Sequence, residues 1–219
     1  MELSPSVAHI AFDGISTGEF TANALIKSMG GKGKIVAIQG MLANTTAIDR
    51  YKGLQNVLAK NPDVELVGQD TGEWDRAKAF DKMKSFLVAN PDVGGVWCAN
   101  DNMALGALEA IRAAGLAGKV LVSGADGITE MLYAIDKGEA AATVLNDSFW
   151  QGGIGLSLAY AAKNGKINLK TTPKEKRQYF AQAIYVDQDN ITKVIAEHVT
   201  GTPKYDWNDL YANFLRPMP

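Results

Sequence analysis

The stretch 93–112, which reads VGGVWCANDNMALGALEAIR, constrains the fold of this chain more than any other. Its first half is a short apolar run that stops at Asn100 and Asp101. In its second half, apolar residues return at the three- and four-residue spacing of one buried helix face. The pattern predicts a buried strand, a tight turn and an amphipathic helix, and ligands bind at the carboxyl ends of such strands in parallel sheets. Asn100 and Asp101 therefore either cap the helix or contact a ligand, and one short turn can do both.

The same strand–turn–helix unit is repeated along the first two thirds of the chain. We expect strands at 6–12, 35–38, 64–67, 96–99, 119–123 and 140–145. Helices are expected at 16–27, 47–60, 75–89, 102–114 and 128–137. Repeated alternation of this kind folds as a parallel sheet with right-handed crossovers. The fold class is therefore predicted to be α/β, a doubly wound parallel sheet with helices on both faces.

The last third of the chain is less regular. We expect a helix at 150–163, a polar connection at 166–177, a β-like segment at 178–186 and a further helix ending at His198. From Pro203 onwards the tail is predicted to be irregular, and its aromatic residues are expected to pack it onto the body. These aromatic residues are Tyr205, Trp207, Tyr211 and Phe214.

Composition excludes several classes of function. Hydrophobic residues make up 47% of the 219, which is enough for a packed core. The net charge is −2 and the pI is near 5.7, so no electrostatic argument supports binding to nucleic acid. The single cysteine, Cys98, excludes an internal disulfide and is expected to be an inert thiol inside a strand. Since no stretch could cross a membrane and the N-terminus lacks a secretory signal, the chain is expected to stay in the cytoplasm or to be a piece of a longer protein.

An α/β enzyme is disfavoured because the motifs of such enzymes are absent. The glycine run GGKGK precedes a strand, whereas a phosphate-binding loop follows one, and neither G-x-G-x-x-G after the first strand nor G-x-S-x-G occurs. His9 and His198 are the only histidines and lie far apart, so with one cysteine they cannot assemble a metal cluster. A carboxylate or Mg²⁺ site formed by Asp13, Asp101 and Asp126 is a minor alternative. The chain is therefore not expected to be an enzyme or to hold a metal.

Polar or small residues follow nearly every predicted strand. The pairs are Gln39-Gly40, Gln69-Asp70, Asn100-Asp101, Asp126-Gly127 and Asn146-Asp147. Because the carboxyl ends of parallel strands meet at one edge, a row of carboxamides and carboxylates is predicted there, with Arg50 and Trp74 beside it. Such a set suits a neutral polyol, since these polar groups pair with hydroxyls and an indole covers the C–H face of a sugar ring. The alternative is that these residues only end strands and cap helices.

Longer motifs carry a family resemblance. The segment WCANDNMALGALEAIRAAG resembles the NDxMALGAxxAL signature of periplasmic sugar-binding proteins of ABC importers, of the ribose-binding type. Other motifs of that family have similar counterparts in order from about residue 10 to 185: KGKIVAIQG, AIDRYKGLQNVLAKNPDVELV, TGEWDRAKA, VSGADG and KGEAAATVLND. The same module serves as the effector domain of LacI-type transcriptional regulators, which is the alternative function. No helix-turn-helix precedes the core, and this favours the importer component.

The resemblance implies a protein that binds a monosaccharide, a pentose or a hexose, and performs no chemistry. No cofactor is implied. The partner would be the membrane permease of an ABC importer, and the location of the full-length protein would be the periplasm.

The resemblance also implies which residues contact the sugar. Arg50 matches the donor to sugar hydroxyls, and Trp74 takes the place of the stacking aromatic residue. Asn100 matches a carboxamide ligand and Asp126 a carboxylate ligand. Asp13 matches an acid just past the first hinge crossing, and Asn146 stands where the family often has Gln. The implied ligand-binding residues are Asp13, Arg50, Trp74, Asn100, Asp126 and Asn146.

Segment boundaries follow from the same resemblance. We expect a first hinge crossing at 1–12, the C-terminal sugar-binding lobe at 13–146, a remnant of the N-terminal lobe with a hinge strand at 147–188, and a C-terminal extension at 189–219. Most of the N-terminal lobe has no counterpart, so the chain is expected to be a truncated form that holds half of the ligand cleft. The segment 147–178 would then expose apolar surface and favour self-association. The residues expected to be exposed are Trp150, Ile154, Leu156, Leu158 and Tyr160.

Overall fold

The computed structural model describes residues 8–168, 171–173 and 177–218. Within these ranges the strands are β1 (His9–Ala11), β2 (Gly33–Gln39), β3 (Val64–Thr71), β4 (Val93–Cys98), β5 (Leu121–Ser123), β6 (Ala140–Leu145), β7 (Gln178–Ala181), β8 (Ile184–Asp187) and β9 (Phe214–Pro217). The helices are α1 (Gly14–Ser28), α2 (Thr45–Leu58), α3 (Arg76–Ala89), α4 (Asp101–Ala113), α5 (Thr129–Asp136), α6 (Ser148–Lys163) and α7 (Ile191–His198).

The chain divides into two compact units. The larger unit comprises Gly14–Leu145 and Ile184–Thr202. The smaller unit comprises Met1–Asp13, Asn146–Ala183 and Pro203–Pro219.

Within the described residues, the larger unit is built on a six-stranded sheet in the order β3-β2-β4-β5-β6-β8. Strands β2 to β6 pair in parallel, and β8 closes one edge antiparallel to β6. Helix α1 packs on α2, whereas α3 packs on α4, which also contacts α5. The predicted α/β class with a doubly wound parallel sheet is confirmed. Since β2 to β6 run in the same direction, their carboxyl ends share one edge.

The centre of this sheet is buried because the middle residues of its central strands are apolar. Ile38 on β2 and Trp97 on β4 are almost completely buried, and Leu108 on α4 is buried with them. The indole N–H of Trp97 donates to Thr21 Oγ1 at 2.9 Å, so the one polar group of this large side chain has a partner. Cys98 lies in the same core, and burial raises the pKa of its thiol above the usual range, as expected for an inert thiol.

Strand β3 is longer than the sequence pattern predicted. It runs Val64–Thr71, so Gln69 and Asp70 lie inside a strand instead of following one. The cause is pairing with β2, where Gln39 lies opposite Thr71 and backbone hydrogen bonds extend the ladder beyond the apolar residues. The polar residues Gln69 and Asp70 at the end of β3 therefore have neighbours on β2.

The smaller unit combines a three-stranded sheet, as far as the described residues show, with helix α6. The strand order is β1-β7-β9, with β1 parallel and β9 antiparallel to β7. Trp150, Ile154 and Leu158 recur on one face of α6 and are buried with Ala181. The partly buried residues packed against this cluster are Ala8, Ile10, Phe12, Ile167, Tyr205, Leu210 and Phe214.

The expected exposure of apolar residues on α6 is wrong for Trp150, Ile154 and Leu158. These residues are buried because the C-terminal tail supplies apolar partners, among them Phe214, whose ring meets the Trp150 ring edge-on at 5.6 Å. The expectation is confirmed for the opposite face, where Leu156 and Tyr160 are 74% and 67% exposed.

Two segments of the last third differ from the sequence prediction. The β-like stretch at 178–186 is two strands in different units, β7 in the smaller and β8 in the larger. The tail, which was expected to be irregular, contains strand β9 at Phe214–Pro217. The tail aromatics Tyr205 and Phe214 pack onto the body as expected, and Phe214 stacks on Tyr179 at 4.1 Å. The sequence of β9, FLRP, did not predict a strand because it is too short to show an alternating pattern and contains a proline.

The unit boundaries also divide the expected C-terminal extension at 189–219. Residues up to Thr202, including α7, belong to the larger unit because α7 packs on α5 and β8, while the tail belongs to the smaller one. Residues 6 and 7 of the first predicted strand lie outside the described residues, as do 169–170 and 174–176 of the predicted polar connection. In the part of the chain that the structure describes, no helix combines the length and apolar character needed to cross a membrane.

Candidate functional site

The turns at the carboxyl edge of the larger sheet carry most of the predicted binding residues. β4 ends at Cys98 and α4 begins at Asp101, so only Ala99 and Asn100 form the turn between them. β5 ends at Ser123 and is followed by a turn of mainly small residues. Short turns at the same sheet edge bring side chains from separate parts of the sequence together.

Arg50 on α2 is buried at this edge, with 8% of its side chain exposed. Its Nη1 donates to the carbonyl oxygen of Ala99 at 2.6 Å, and its Nη2 donates to Asp126 Oδ1 at 3.0 Å. Its Nε is buried and has no hydrogen-bond partner among the described residues. A buried guanidinium N–H without a partner lowers stability, so this group is a candidate donor to a ligand oxygen.

Close packing of α1 on α2 fixes the backbone of Arg50. A Cβ atom at Gly18 would lie 1.9 Å from the carbonyl oxygen of Arg50, and one at Gly53 would lie 2.4 Å from that of Ile15. The two helices can approach this closely only because both positions are glycine. The sequence analysis gave these glycines no role. The four-residue spacing of Gly14 and Gly18 places two glycines on the same helix face, and this could have indicated close helix packing.

Asp126 has a backbone conformation that side-chain-bearing residues rarely adopt, with φ +135°. Its N–H donates to the carbonyl oxygen of Val144 at 2.9 Å, which ties the turn to β6. The side chain of Asp126 is 38% exposed, whereas the guanidinium of Arg50, which donates to it, is buried. The pair therefore offers donors and acceptors side by side with an opening towards solvent.

Asn100 is the N-cap of α4. Its Oδ1 accepts from the backbone N–H of Met103 at 3.0 Å, so the capping interpretation holds for the oxygen. Its amide nitrogen makes no hydrogen bond to any described residue. Asn100 can therefore cap the helix with its oxygen and still donate to a ligand with its nitrogen.

Asp101 begins α4, one residue before the expected start of this helix at 102, and is completely buried. Its carboxylate accepts from Thr143 Oγ1 at 2.7 Å and from the backbone N–H groups of Gly127 and Ile128 at 2.7 and 3.0 Å. Burial raises the pKa of Asp101 to about 7, the negative charge of Asp126 adds to the rise, and the three donors oppose it. Sequence reasoning missed this network because its members are far apart in the chain.

Trp74 lies in the turn between β3 and α3 with φ +66°. A Cβ atom at Gly40 would lie 2.2 Å from a ring carbon of Trp74, so the indole rests directly on the backbone that follows β2. Asn102 Nδ2 donates to the carbonyl oxygen of Trp74 at 2.9 Å, which ties this turn to α4. The half-buried ring therefore lies at the carboxyl edge of the sheet, and Gly40 makes room for it.

The polar residues that end β2 and β3 have partners within the protein. Tyr51 donates its hydroxyl to Gln69 Oε1, and Gln39 Nε2 donates to the same atom at 3.4 Å. Asp70 pairs with Lys82 at 2.5 Å, and this hydrogen bond lowers the pKa of Asp70. This part of the predicted row is therefore a local polar network.

Asp13 and Asn146 belong to the smaller unit. Asp13 is nearly buried, and its carboxylate accepts from the guanidinium of Arg216, which also lies over the Phe180 ring at 4.7 Å. Sequence reasoning missed Arg216. The Oδ1 atom of Asn146 is buried without a hydrogen-bond partner among the described residues. Among those residues no three His, Cys, Asp or Glu side chains are grouped closely enough to hold a metal ion, so the three-carboxylate alternative gains no support.

A family model described as periplasmic binding protein domain matches residues 1–167. This chain belongs to that family. A crystal structure described as a twin-arginine translocation pathway signal protein from Burkholderia phytofirmans is 45% identical, with a TM-score of 0.93. That similarity covers 100% of this chain and 69% of the other. The strand–turn–helix units and their shared carboxyl edge are thus those of a periplasmic binding protein domain.

Curated relatives of this periplasmic binding protein domain are named for sugars and sugar alcohols. A xylitol-binding protein from Mycolicibacterium smegmatis is 34% identical over 206 residues, covering 94% of this chain and 57% of the relative. A D-allose-binding periplasmic protein from Escherichia coli is 36% identical over 162 residues, covering 73% of this chain and 52% of the relative. These relatives are binding proteins and not enzymes, and their names do not favour the transcriptional-regulator alternative. The chain spans about half the length of the curated relatives it matches.

Proposed function

We propose that this chain binds a monosaccharide, a pentose or a hexose, as the solute-binding component of an ABC-type carbohydrate importer. The observation that carries the proposal is the pair formed by Arg50 and Asp126 at the carboxyl edge of the larger sheet. The name of the D-allose-binding relative supports a ligand of this class, and the name of the xylitol-binding relative supports a neutral polyol.

The charges of this pair favour a neutral ligand. Asp126 offsets the positive charge of Arg50 at 3.0 Å, so an incoming phosphate or carboxylate would meet a negative charge beside the positive one. Adjacent hydroxyls of a sugar can accept from Arg50 Nε, which has no partner among the described residues, and donate to the Asp126 carboxylate. Hydrogen bonds to charged groups in a partly buried site are also among the stronger ones in proteins.

Further residues extend the proposed contact set. Asn100 offers the amide nitrogen that its capping role leaves unused, and Trp74 offers an apolar plane for the C–H groups of a ring. We include Asp13 and Asn146 on the strength of the family resemblance. The Oδ1 atom of Asn146 is buried and has no partner in the described part of the chain, which is a further reason to expect that this residue accepts from a ligand.

The proposal is tested by calorimetric titration of the full chain with D-ribose, D-allose and xylitol. We expect saturable binding of at least one of them, weakened by roughly tenfold or more in Asp126→Asn because a charged acceptor is lost. The control is Asp136→Asn, the same change at an exposed position on α5, which should bind like the wild type. Absence of binding in the wild type, or equal binding by the two variants, would contradict the proposal.

We place the protein in the periplasm, in contact with the permease of the importer. The support is the family itself and the periplasmic designation of the D-allose-binding relative. Release of the protein by osmotic shock of cells that produce it naturally is the expected result. Retention in the cytosolic fraction would contradict this location.

We also propose that the exposed face of α6 mediates self-association. From Ser148 to Ala162 the helix carries no charged residue, and Phe149, Leu156 and Tyr160 are largely exposed on it. A contiguous apolar face of this kind favours association.

Light scattering coupled to size-exclusion chromatography tests this surface. The wild type should form a dimer that Leu156→Lys dissociates. Val88→Lys, a change at an equally exposed apolar residue on α3, should leave the dimer intact. A monomeric wild type at high concentration would exclude self-association through α6.

A further inference from the structure

Asp101 differs from the other carboxylates and carboxamides of the carboxyl edge because no part of it is exposed. It cannot touch a ligand, yet it lies between two residues of the proposed site, Asn100 before it in sequence and Asp126 across the turn. A fully buried carboxylate is costly unless it is hydrogen-bonded. Its contacts therefore call for a functional explanation as well as a structural one.

The contacts of Asp101 all lead to the turn at 124–128 or to the strand beside it. Its backbone N–H donates to the carbonyl oxygen of Ala125 at 2.8 Å, and its Oδ2 accepts from the N–H groups of Gly127 and Ile128. A Cβ atom at Gly124 would lie 2.4 Å from Asp101 Oδ1, so the turn also passes in direct contact with the carboxylate. Asp101 therefore holds the turn on both sides of its middle residue.

That middle residue is Asp126, whose φ of +135° is unfavourable for a residue with a side chain. Such a conformation persists only where the surrounding structure enforces it. The bonds made by Asp101 to Ala125, Gly127 and Ile128 flank Asp126 directly, and they fix the direction in which its carboxylate leaves the backbone.

We propose that Asp101 is a positioning residue for the ligand site, which holds the turn at 124–128 so that Asp126 meets Arg50. The proposal rests on the proposed function for its consequence in binding, while its structural part stands on the contacts of the turn alone.

A carboxylate is the side chain that this position requires. Two backbone N–H groups and the Thr143 hydroxyl all donate to it, and a carboxylate is acceptor-only with room for all three. Asparagine can keep the two backbone bonds through its oxygen and can turn its amide nitrogen to Thr143, whose oxygen can accept. Leucine has a similar size and can accept none of these bonds.

This difference defines a graded experiment on the full chain. Hydrogen–deuterium exchange is measured at the amides of Gly127 and Ile128 in the wild type, Asp101→Asn and Asp101→Leu. We expect exchange in Asp101→Leu to accelerate at these amides by at least about tenfold more than at core amides such as Val96, whose exchange reports the loss of global stability. Asp101→Asn should restore most of the protection.

The same proteins are titrated with D-ribose, D-allose and xylitol. Affinity should fall by roughly tenfold or more in Asp101→Leu and stay within about threefold of the wild type in Asp101→Asn. Unchanged exchange at Gly127 and Ile128 in Asp101→Leu would overturn the positioning role, as would uniformly faster exchange in all strands, since that indicates general destabilisation. A wild type that binds none of the three probes would contradict the proposed function, and the exchange data would still decide whether Asp101 positions the turn.

Discussion

Two turns of this protein carry the same Asn-Asp pair after a strand and use it differently. After β4, Asn100 caps the helix and Asp101 is its first residue, buried and bonded to another turn. After β6, the pair is shifted by one position: Asp147 caps α6 by accepting from Trp150 N–H at 2.9 Å, and Asn146 precedes the cap. The comparison shows that a capping pair in sequence does not reveal which of its members caps.

The shift changes what the second member of the pair can do. The carboxylate of Asp101 is enclosed and accepts from three donors of the larger unit. Asp147 is only partly buried, and its second oxygen accepts from the Tyr205 hydroxyl at 2.7 Å within the smaller unit. The same residue type is therefore a buried structural acceptor in one turn and an ordinary cap in the other.

The largest effect is expected when each aspartate is replaced by alanine. Asp101→Ala should lower the free energy of unfolding by about 3 to 5 kcal/mol, because three buried donors lose their acceptor. Asp147→Ala should lower it by about 1 kcal/mol, the usual cost of losing a helix cap. Urea unfolding at pH 8 measures both, and equal losses would remove the distinction between the two turns.

The pH dependence of stability sharpens the contrast. The pKa of Asp101 is raised from 3.8 to about 7 in the folded protein, so between these pH values the folded state binds a proton that the unfolded state has released. Its contribution to stability is therefore greatest below about pH 4 and is lost as the pH rises to about 7, with a total of about 4 kcal/mol. Carboxylates with lowered pKa values, such as Asp70, give the opposite slope at lower pH.

Denaturant unfolding of the wild type and Asp101→Asn from pH 4 to pH 8 isolates this contribution. As the pH rises from about 4 to about 7, the wild type should lose unfolding free energy relative to Asp101→Asn. A difference that is constant with pH would show that Asp101 titrates normally.

A smaller effect is expected from the two hydroxyls that donate to these aspartates. Thr143→Val should cost about 1 to 2 kcal/mol, since Thr143 is completely buried and its loss leaves Asp101 short of a donor. Tyr205→Phe should cost about 0.5 kcal/mol, because water can replace the hydroxyl beside the partly buried Asp147. Thermal unfolding shows which variant loses more stability. A larger loss in Tyr205→Phe than in Thr143→Val would contradict the description of Asp101 as the more buried acceptor.

The smallest effect is expected at Asn146. Its Oδ1 atom is buried without a partner among the described residues, so Asn146→Ala should leave the free energy of unfolding within about 0.5 kcal/mol of the wild type. Asn100→Ala, by comparison, removes a helix cap and should cost about 1 kcal/mol. A large loss in Asn146→Ala would mean that this residue has a structural role and would weaken its proposed contact with a ligand.

The sequence was sufficient for features that depend on neighbouring residues. Alternation of apolar runs and helical patterns predicted the sheet class, and the rule that parallel strands end at one edge anticipated that Arg50 and Asp126 would lie near each other. The family motifs named the same residues independently.

Features that depend on distant partners could not be predicted in this way. Asp101 and Thr143 are 42 positions apart, and Asp13 and Arg216 are 203 apart, so no local pattern connects them. Strand β9 forms only because β7 offers an unpaired edge and an apolar surface, and neither is visible in its own four residues.

The central claim is that the Arg50–Asp126 pair receives a sugar, and the most direct measurement is the ¹H–¹⁵N resonance of Arg50 Nε–H. This buried group has no partner among the described residues, so a hydroxyl that accepts from it should shift its resonance. We predict that titration with the sugar that binds best among D-ribose, D-allose and xylitol shifts this signal together with the amides of residues 124–128. Saturation with sugar that leaves all of these resonances in place would contradict the account.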